Sequence, residues 1–243
     1  MNENHVFENL SEGISVCRSD IHSFGTDAFL LTGFCCYREK DRVVDLGTGC
    51  GIIPLLMHRH RPPKEVFAVD IQPLAIEQLR LGLSHSTKSM NITPICADLR
   101  ALWDDAPRGQ VDLITCNPPY KANGAGILSA GTAQQIARHE IECTLDDICA
   151  AAETLLNYHG RLCMCCRPER LADVVAAMQA HKIEPKRLRF VCKNPESAPW
   201  LFLIEGKKCA KPFLQVEPSL FVRDGNDMTS EAAQICHFGE KYL

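Results

Sequence analysis

Short apolar runs alternate with segments of helical period along this chain. Arg42–Leu46 (RVVDL) is a compact apolar run ending at glycines, the pattern of a buried parallel strand. Gly51 to about His60 carries Ile52, Leu55 and Leu56 at helical spacing, and Pro62-Pro63 closes it. Val66–Asp70 (VFAVD) predicts a second strand. Pro73 opens the next helix, where its missing N–H costs nothing, and Ala75, Leu79 and Leu83 recur every four residues. Ile92–Ala97 predicts a third strand, placed at a sheet edge by Pro94. Val111–Cys116 predicts a fourth, ending at Asn-Pro-Pro.

A helix follows from about Thr144, its N-cap, to Asn157, with Ile148, Ala151, Ala152 and Leu155 on one face and Gly160 at its end. Arg161–Cys166 reads as a fifth strand. Leu171, Val174, Val175 and Met178 mark another helix. Arg187–Cys192 and Trp200–Glu205, joined by a Pro-containing loop, read as an antiparallel pair. Strands alternating with helices predict a doubly wound α/β domain covered on both faces of its sheet. Residues 41–210 form that domain. Residues 1–40 form an N-terminal extension, with a helix after Thr26-Asp27, that serves as a lid over cofactor and substrate. Residues 211–243 form a polar, poorly patterned tail.

With 46% hydrophobic and 23% charged residues, the composition excludes a disordered, collagen-like or coiled-coil chain. No apolar run approaches the ~18 residues of a membrane span. The start, MNENHVFENLSEG, lacks the apolar core of a signal peptide, so a cytoplasmic protein is expected. The 14 cysteines are scattered within apolar runs, without paired C-x-x-C or Cys/His spacing, and read as reduced core thiols rather than a metal site. Alternation puts Cys163 and Cys165 on one face of their strand and Cys166 on the other. Net charge is −4. It divides unevenly: Arg161–Lys211 carries eleven Lys/Arg and five acids, net +6 against −10 for the remainder. That segment is a candidate nucleic-acid face or an ordinary solvated one. Nothing in the sequence sets an oligomeric state.

The candidate chemistry sits at the strand ends. Asp45-Leu46-Gly47-Thr48-Gly49-Cys50-Gly51 follows the first strand. Glycines without Cβ let a ligand approach the backbone. The spacing G-x-G-x-G places its third glycine one position early for a dinucleotide fingerprint, and no Walker Lys-Ser/Thr follows. Asp45 would repel a pyrophosphate but pair with the ammonium of an amino-acid-like cofactor. Asp70 ends the second strand, where a carboxylate can accept from ribose hydroxyls. Asp98, after the third strand, can accept from an exocyclic adenine N–H. Three acids at consecutive strand ends suit a nucleoside without phosphates, which describes S-adenosylmethionine. The neighbouring Thr48, Ile71 and Leu99 complete the candidate cofactor contacts.

Asn117-Pro118-Pro119-Tyr120 follows the fourth strand. Two prolines fix φ and carry no donors, so the loop presents acceptors rigidly. The Asn117 side-chain oxygen and the Pro118 carbonyl can both accept from one planar –NH2, leaving the nitrogen lone pair free to meet a methyl donor. Tyr120 offers a ring on which a planar substrate stacks. This chemistry needs no metal and no strong base.

From about Arg42 to Gly206 the chain resembles the class I S-adenosylmethionine-dependent methyltransferases of the amino-modifying Asn-Pro-Pro-Tyr branch. Within it the chain is most similar to the bacterial tRNA1(Val) adenine-37 N6-methyltransferases. The stretch His22-Ser23-Phe24-Gly25-Thr26-Asp27-Ala28-Phe29-Leu30-Leu31, the segment Ala137-Arg138-His139-Glu140 and the basic terminal hairpin add to the likeness. The resemblance implies a Rossmann-like fold: a seven-stranded, mostly parallel sheet with a C-terminal antiparallel hairpin. It implies that Asp45, Gly47, Thr48, Gly49, Gly51, Asp70, Ile71, Asp98, Leu99 and Asn117 bind S-adenosylmethionine. It places Thr26 and Asp27 near the cofactor entrance and gives Asn117 to Tyr120 the substrate base. His139 and Glu140 are either a substrate contact or the start of the following helix. The implied reaction is methylation of adenine N6 in RNA, most simply tRNA, held by the basic C-terminal half. The same loop suits a glutamine side-chain amide of a release factor, or an adenine of rRNA or DNA. A binding module that kept the fold without activity is a third class, which the intact glycine loop, acids and Asn117 oppose.

Overall fold

The computed structural model describes residues 5–19, 24–59, 61–118 and 143–236. A hairpin of β1 (Val6–Ser11) and β2 (Ile14–Arg18) comes first, then α1 (Thr26–Phe34). The alternating units follow: β3 (Arg42–Leu46), α2 (Ile52–Met57), β4 (Glu65–Asp70), α3 (Pro73–His85), β5 (Ile92–Cys96) and β6 (Val111–Cys116). After them come α4 (Leu145–Leu155), β7 (Leu156–Cys166), a short 3-10 turn (Pro168–Arg170), α5 (Leu171–Ala180), β8 (Ile183–Cys192) and β9 (Pro199–Lys208). The chain closes with β10 (Gln215–Val216), β11 (Leu220–Phe221), β12 (Arg223–Asp224), β13 (Asp227–Met228) and α6 (Ser230–Cys236).

The main sheet has the order β10-β8-β9-β7-β6-β3-β4-β5, with β11 also pairing with β8. Seven of these strands are long. The expected seven-stranded sheet is therefore extended to nine by β10 and β11, two residues each and parallel to β8. Among the long strands only β9 runs antiparallel, inserted between β7 and β8. The expected antiparallel hairpin is present, and its second strand, β9, joins it to β7. β5, with Pro94, lies at the other edge, as the missing donor requires.

Alternation divides the core into two layers. Cys163 and Cys165 face the layer built with α1 and α2, while Met164 and Cys166 face the one built with α4 and α5. Ten of the fourteen cysteines are buried and none forms a disulfide, so they pack as small apolar groups. Leu10, Ile14 and Val16 before the sheet, Leu220 in β11, and Val222, Ala232 and Cys236 after it belong to the first layer.

Local chemistry explains several boundaries. Thr144 caps α4 through a reciprocal pair: its Oγ1 accepts from Asp147 N at 3.2 Å, and Asp147 Oδ2 accepts from Thr144 N at 2.8 Å. The helix ends at Leu155 rather than at Gly160, which lies inside β7. A Cβ on Gly160 would come within 2.8 Å of the Val111 carbonyl, so this glycine serves close strand approach, not a cap. β8 begins at Ile183, four residues before the apolar alternation suggests, because Lys207 and Lys208 of β9 supply its partners there. The β1–β2 hairpin has no strong apolar signal. It docks on α3, where Ser15 N donates to Ser86 Oγ at 2.9 Å and Gly82 leaves room for the Ser15 carbonyl. Ser230–Cys236, within the polar tail, form α6, seated on α1 where a Cβ at Gly33 would stand 2.7 Å from Ile235.

Candidate active site

β3 and β6 are parallel neighbours, and Leu46 is the register partner of Cys116. The glycine loop and Asn117-Pro118 therefore leave adjacent strands at the same level, at the carboxyl edge of the sheet. Adjacent strands lie ~4.8 Å apart. The two motifs, separate in sequence, share one place.

Backbone hydrogen bonds shape the glycine loop. Gly47 N and Thr48 N both donate to the Val69 carbonyl, at 2.9 and 3.0 Å. Asp70 Oδ2 accepts from Gly49 N at 2.9 Å, and Oδ1 accepts from Gln72 N at 2.9 Å. Asp70 thus holds the loop as well as standing at the end of β4. Gly47, Gly49 and Gly51 all adopt positive φ, +70°, +56° and +80°. A Cβ on Gly47 or Gly49 would meet nothing within 4 Å, so these two border open space.

Asp45 is completely buried beneath the loop. Its Oδ1 accepts from Thr115 Oγ1 at 2.6 Å, across the β3–β6 register. Its Oδ2 has no hydrogen-bond partner among the described residues, and neither has the buried hydroxyl of Thr48. Burial pushes the Asp45 carboxyl up to about 7; the hydrogen bond from Thr115 opposes that rise, as does the nearby Thr48 hydroxyl, which stands outside hydrogen-bond geometry, and the charge of Asp70 adds to it. Thr115 is absent from the sequence-derived site. Only strand pairing reveals it, as the polar residue of β6 that faces Asp45.

Asp98 is committed differently. Arg100 donates from Nε to both carboxylate oxygens at 3.0 Å and from Nη2 to Oδ2 at 2.6 Å. This guanidinium holds the carboxyl below the usual carboxylate range. An adenine amino group could use Asp98 only in place of one of these contacts. Ile71 is 42% exposed at the end of β4, whereas Leu99 packs against the second core layer. Thr26 and Asp27 are half-buried at the start of α1. The other end of that helix is tied to the sheet by Arg161 and Arg187, which donate to the Cys36 and Phe34 carbonyls.

Asn117 and Pro118 are half-buried. The Asn117 Oδ1 lies 3.1 Å from the Sγ of Cys165, a buried residue of the neighbouring β7. Pro119, Tyr120, His22, Ser23 and the segment Ala137–Glu140 lie outside the described residues. Among the described residues no cluster of ligating side chains could hold a metal ion, and no helix is long and apolar enough to cross a membrane.

Residues 23–170, more than half of the chain, match the model of the methyltransferase small domain family, and the chain belongs to that family. It is 30% identical over 188 residues to a tRNA1(Val) (adenine(37)-N6)-methyltransferase of Porphyromonas gingivalis, covering 74% of this chain and 72% of that protein. It is 31% identical over 157 residues to the protein of the same name from Tolumonas auensis, a match spanning 64% of each, just under two thirds of that relative's length. The crystal structure of a predicted O-methyltransferase from Agrobacterium tumefaciens shares the fold. Its TM-score is 0.69, at 18% identity over 87% of this chain and 95% of that one. S-adenosylmethionine is the methyl donor of the family.

The residues fit that cofactor. A buried carboxylate oxygen beneath the loop, without a partner among the described residues, suits an ammonium, and the open side of Gly47 and Gly49 suits close backbone approach.

Proposed function

We propose that this protein transfers a methyl group from S-adenosylmethionine to the exocyclic N6 of an adenine in tRNA, as the names of its relatives indicate for them. The observation that carries this reading is the shared level of the glycine loop and Asn117-Pro118 on paired strands. The cofactor supplies a methyl group already activated on a sulfonium. Asp45 takes its ammonium. Asp70, with one backbone contact on each oxygen, keeps acceptor capacity for ribose hydroxyls. Ile71 offers an exposed apolar face to the purine. Asn117 Oδ1 and the Pro118 carbonyl accept the two amino hydrogens of the target, hold its plane and leave its lone pair free. Positioning supplies much of the rate, and the two acceptors stabilise positive charge as it develops on nitrogen. Proton loss to solvent completes the transfer, so no strong base is needed. Tyr120 is the stacking partner in this reading, and Thr26 and Asp27 border the entrance.

The basic segment divides once folded. Lys182, Lys186, Lys207, Lys208 and Lys211 lie at the amino edge of the sheet, because β8 starts there and the antiparallel β9 ends there. Arg161 and Arg187 are engaged with the buried Glu205. Arg167, Arg170 and Lys193 follow the carboxyl ends of β7 and β8, on the side of Asn117. Arg167 stacks over Trp200, its guanidinium carbon 5.5 Å from the ring centroid. RNA presenting an adenine to Asn117 therefore meets these three groups first. Arg167→Ala and Lys193→Ala should raise KM for tRNA and each lower the salt slope of binding by about one. Lys186→Ala and Lys211→Ala should change neither.

The test is incubation of the purified protein with S-adenosylmethionine and total tRNA from cells lacking it, then mass analysis of nucleosides. New N6-methyladenosine is expected. Its absence, with methylated glutamine in a release factor instead, would move the same site to the amide substrate.

Asp45 gives the reading a pH signature. Its folded value, about 7, exceeds the ~3.9 of an unfolded aspartate, so between these values the folded protein binds more protons than the unfolded one. Stability of the free protein from this group therefore falls as pH rises from about 4 to about 7. Cofactor binding runs the other way, since the charged carboxylate attracts the ammonium. Affinity for S-adenosylmethionine should rise through about pH 7 and fall above ~8, where an α-amino group loses its proton. Calorimetric titration across this range checks it. Asp45→Asn should bind more weakly and lose the rising limb; a limb that persists in this variant would refute the assignment.

A further inference from the structure

We propose that Cys165 is a positioning residue for the methyl transfer: its thiol donates to Asn117 Oδ1 and sets which end of that amide faces the substrate amino group. The inference rests on the role given to Asn117 above.

An Asn side chain offers an acceptor at one end and two donors at the other. Only the acceptor end can receive an –NH2 hydrogen. A flipped amide would present its own N–H groups to the substrate amino group and repel it. A rigid proline after Asn117 restrains the backbone but does nothing for rotation about the side-chain bonds. A donor fixed beside the oxygen is what selects the productive orientation. Cys165 is that donor. Its Sγ stands 3.1 Å from Oδ1, it is fully buried, and it is held in β7 by pairing with β6 on one side and β9 on the other. Cys116 pairs with Met164, so Cys165 is level with Asn117, the next residue along each strand. A carbonyl oxygen has two lone pairs, so a thiol that takes one does not by itself exclude the substrate. Thiols are weak donors, which suits this place: a weak donor orients the oxygen without withdrawing much of its accepting power. The bland alternative is that Cys165 merely fills space, as its buried neighbours Cys163 and Cys166 do.

The experiment is a cycle of Cys165→Ala, Cys165→Ser, Asn117→Ala and the double variant Cys165→Ala/Asn117→Ala. It is read as steady-state methylation of tRNA together with cofactor affinity and thermal midpoint. Loss of one weak orienting bond should lower kcat of Cys165→Ala about tenfold with KM and cofactor affinity nearly unchanged. Cys165→Ser, whose hydroxyl can donate in the same place, should recover most of that loss. In the Asn117→Ala background, Cys165→Ala should cost nothing more, because Cys165 acts through Asn117. Full kcat in Cys165→Ala, equal losses for the Ala and Ser variants, or an undiminished cost in the Asn117→Ala background would each overturn the positioning role while leaving Asn117 in place. Full turnover of Asn117→Ala would instead overturn the assignment of Asn117, and the role of Cys165 with it.

Discussion

Asn117→Ala is expected to bind S-adenosylmethionine with almost unchanged affinity and to lose roughly a hundred- to thousandfold in kcat, the usual cost of removing one preorganised group aimed at developing charge. The reason lies in timing. In the ground state the target amino group is neutral, and the Asn117 oxygen adds only an ordinary hydrogen bond. As the methyl group transfers, nitrogen becomes cationic, its hydrogens become more acidic, and the same contact strengthens. An interaction that grows along the reaction lowers kcat when removed, with little effect on cofactor binding. Asn117→Asp is an informative companion. It keeps an oxygen where Cys165 donates but adds a negative charge two residues past Thr115, the partner of Asp45, and loses the amide. Single-turnover methylation, with cofactor affinity measured separately, checks the expectation. Near-full turnover of Asn117→Ala would leave the Asn-Pro-Pro segment as a rigid turn and nothing more.

Gly51→Ala is expected to be the most damaging single change in the glycine loop for stability, and Gly49→Ala a much milder one. Both residues have positive φ, which costs an L-residue about 1–2 kcal/mol. They differ in what a methyl group would strike. At Gly51 a Cβ would stand 2.3 Å from Leu79 Cδ1 and 3.0 Å from its Cγ. Leu79 is fully buried in α3, within the layer that holds α2, so it has little space into which to move. Overpacking of that kind adds about 1–3 kcal/mol, for a total near 2–5 kcal/mol. In a chain of this size each kcal/mol corresponds to about 2–4 °C in Tm. At Gly49 the added methyl enters open space, so the folded protein tolerates it while the cofactor meets an obstacle. Denaturant titration of both variants, beside their affinity for S-adenosylmethionine, separates the effects. Equal destabilisation by the two would show that Leu79 yields readily and that backbone strain alone sets the cost.

The division between what the chain's pattern disclosed and what packing decided follows the range of each interaction. Parallel strands buried on both faces are short apolar runs by necessity, and β3, β4, β5 and β6 stand close to where those runs predict them. Prolines and caps act within a turn, so the start of α3 and the Thr144 cap of α4 were equally legible. β1 and β2 were not, because their partners are each other and α3 rather than the sheet. Gly160 misled for a related reason: a glycine that ends a helix and a glycine that admits a neighbouring strand look alike until Val111 is beside it.

The candidate site divides in the same way. The sequence by itself determined the chemical types at the strand ends: a glycine loop with a preceding acid, further acids after the next two strands, and a rigid acceptor loop after the fourth. Each is a local arrangement, and its chemistry is carried by side-chain type and backbone freedom. Tertiary structure alone decided their partners. Register brought Thr115 to Asp45 and Cys165 to Asn117, and left one oxygen of Asp45 buried without a partner among the described residues. It also sent some cations of one basic stretch to the amino edge of the sheet and others to the carboxyl edge, and paired Arg161 and Arg187 with Glu205. Hydrogen bonds and ion pairs act over a few ångströms between residues some 50 to 70 positions apart, and only the folded chain sets those distances.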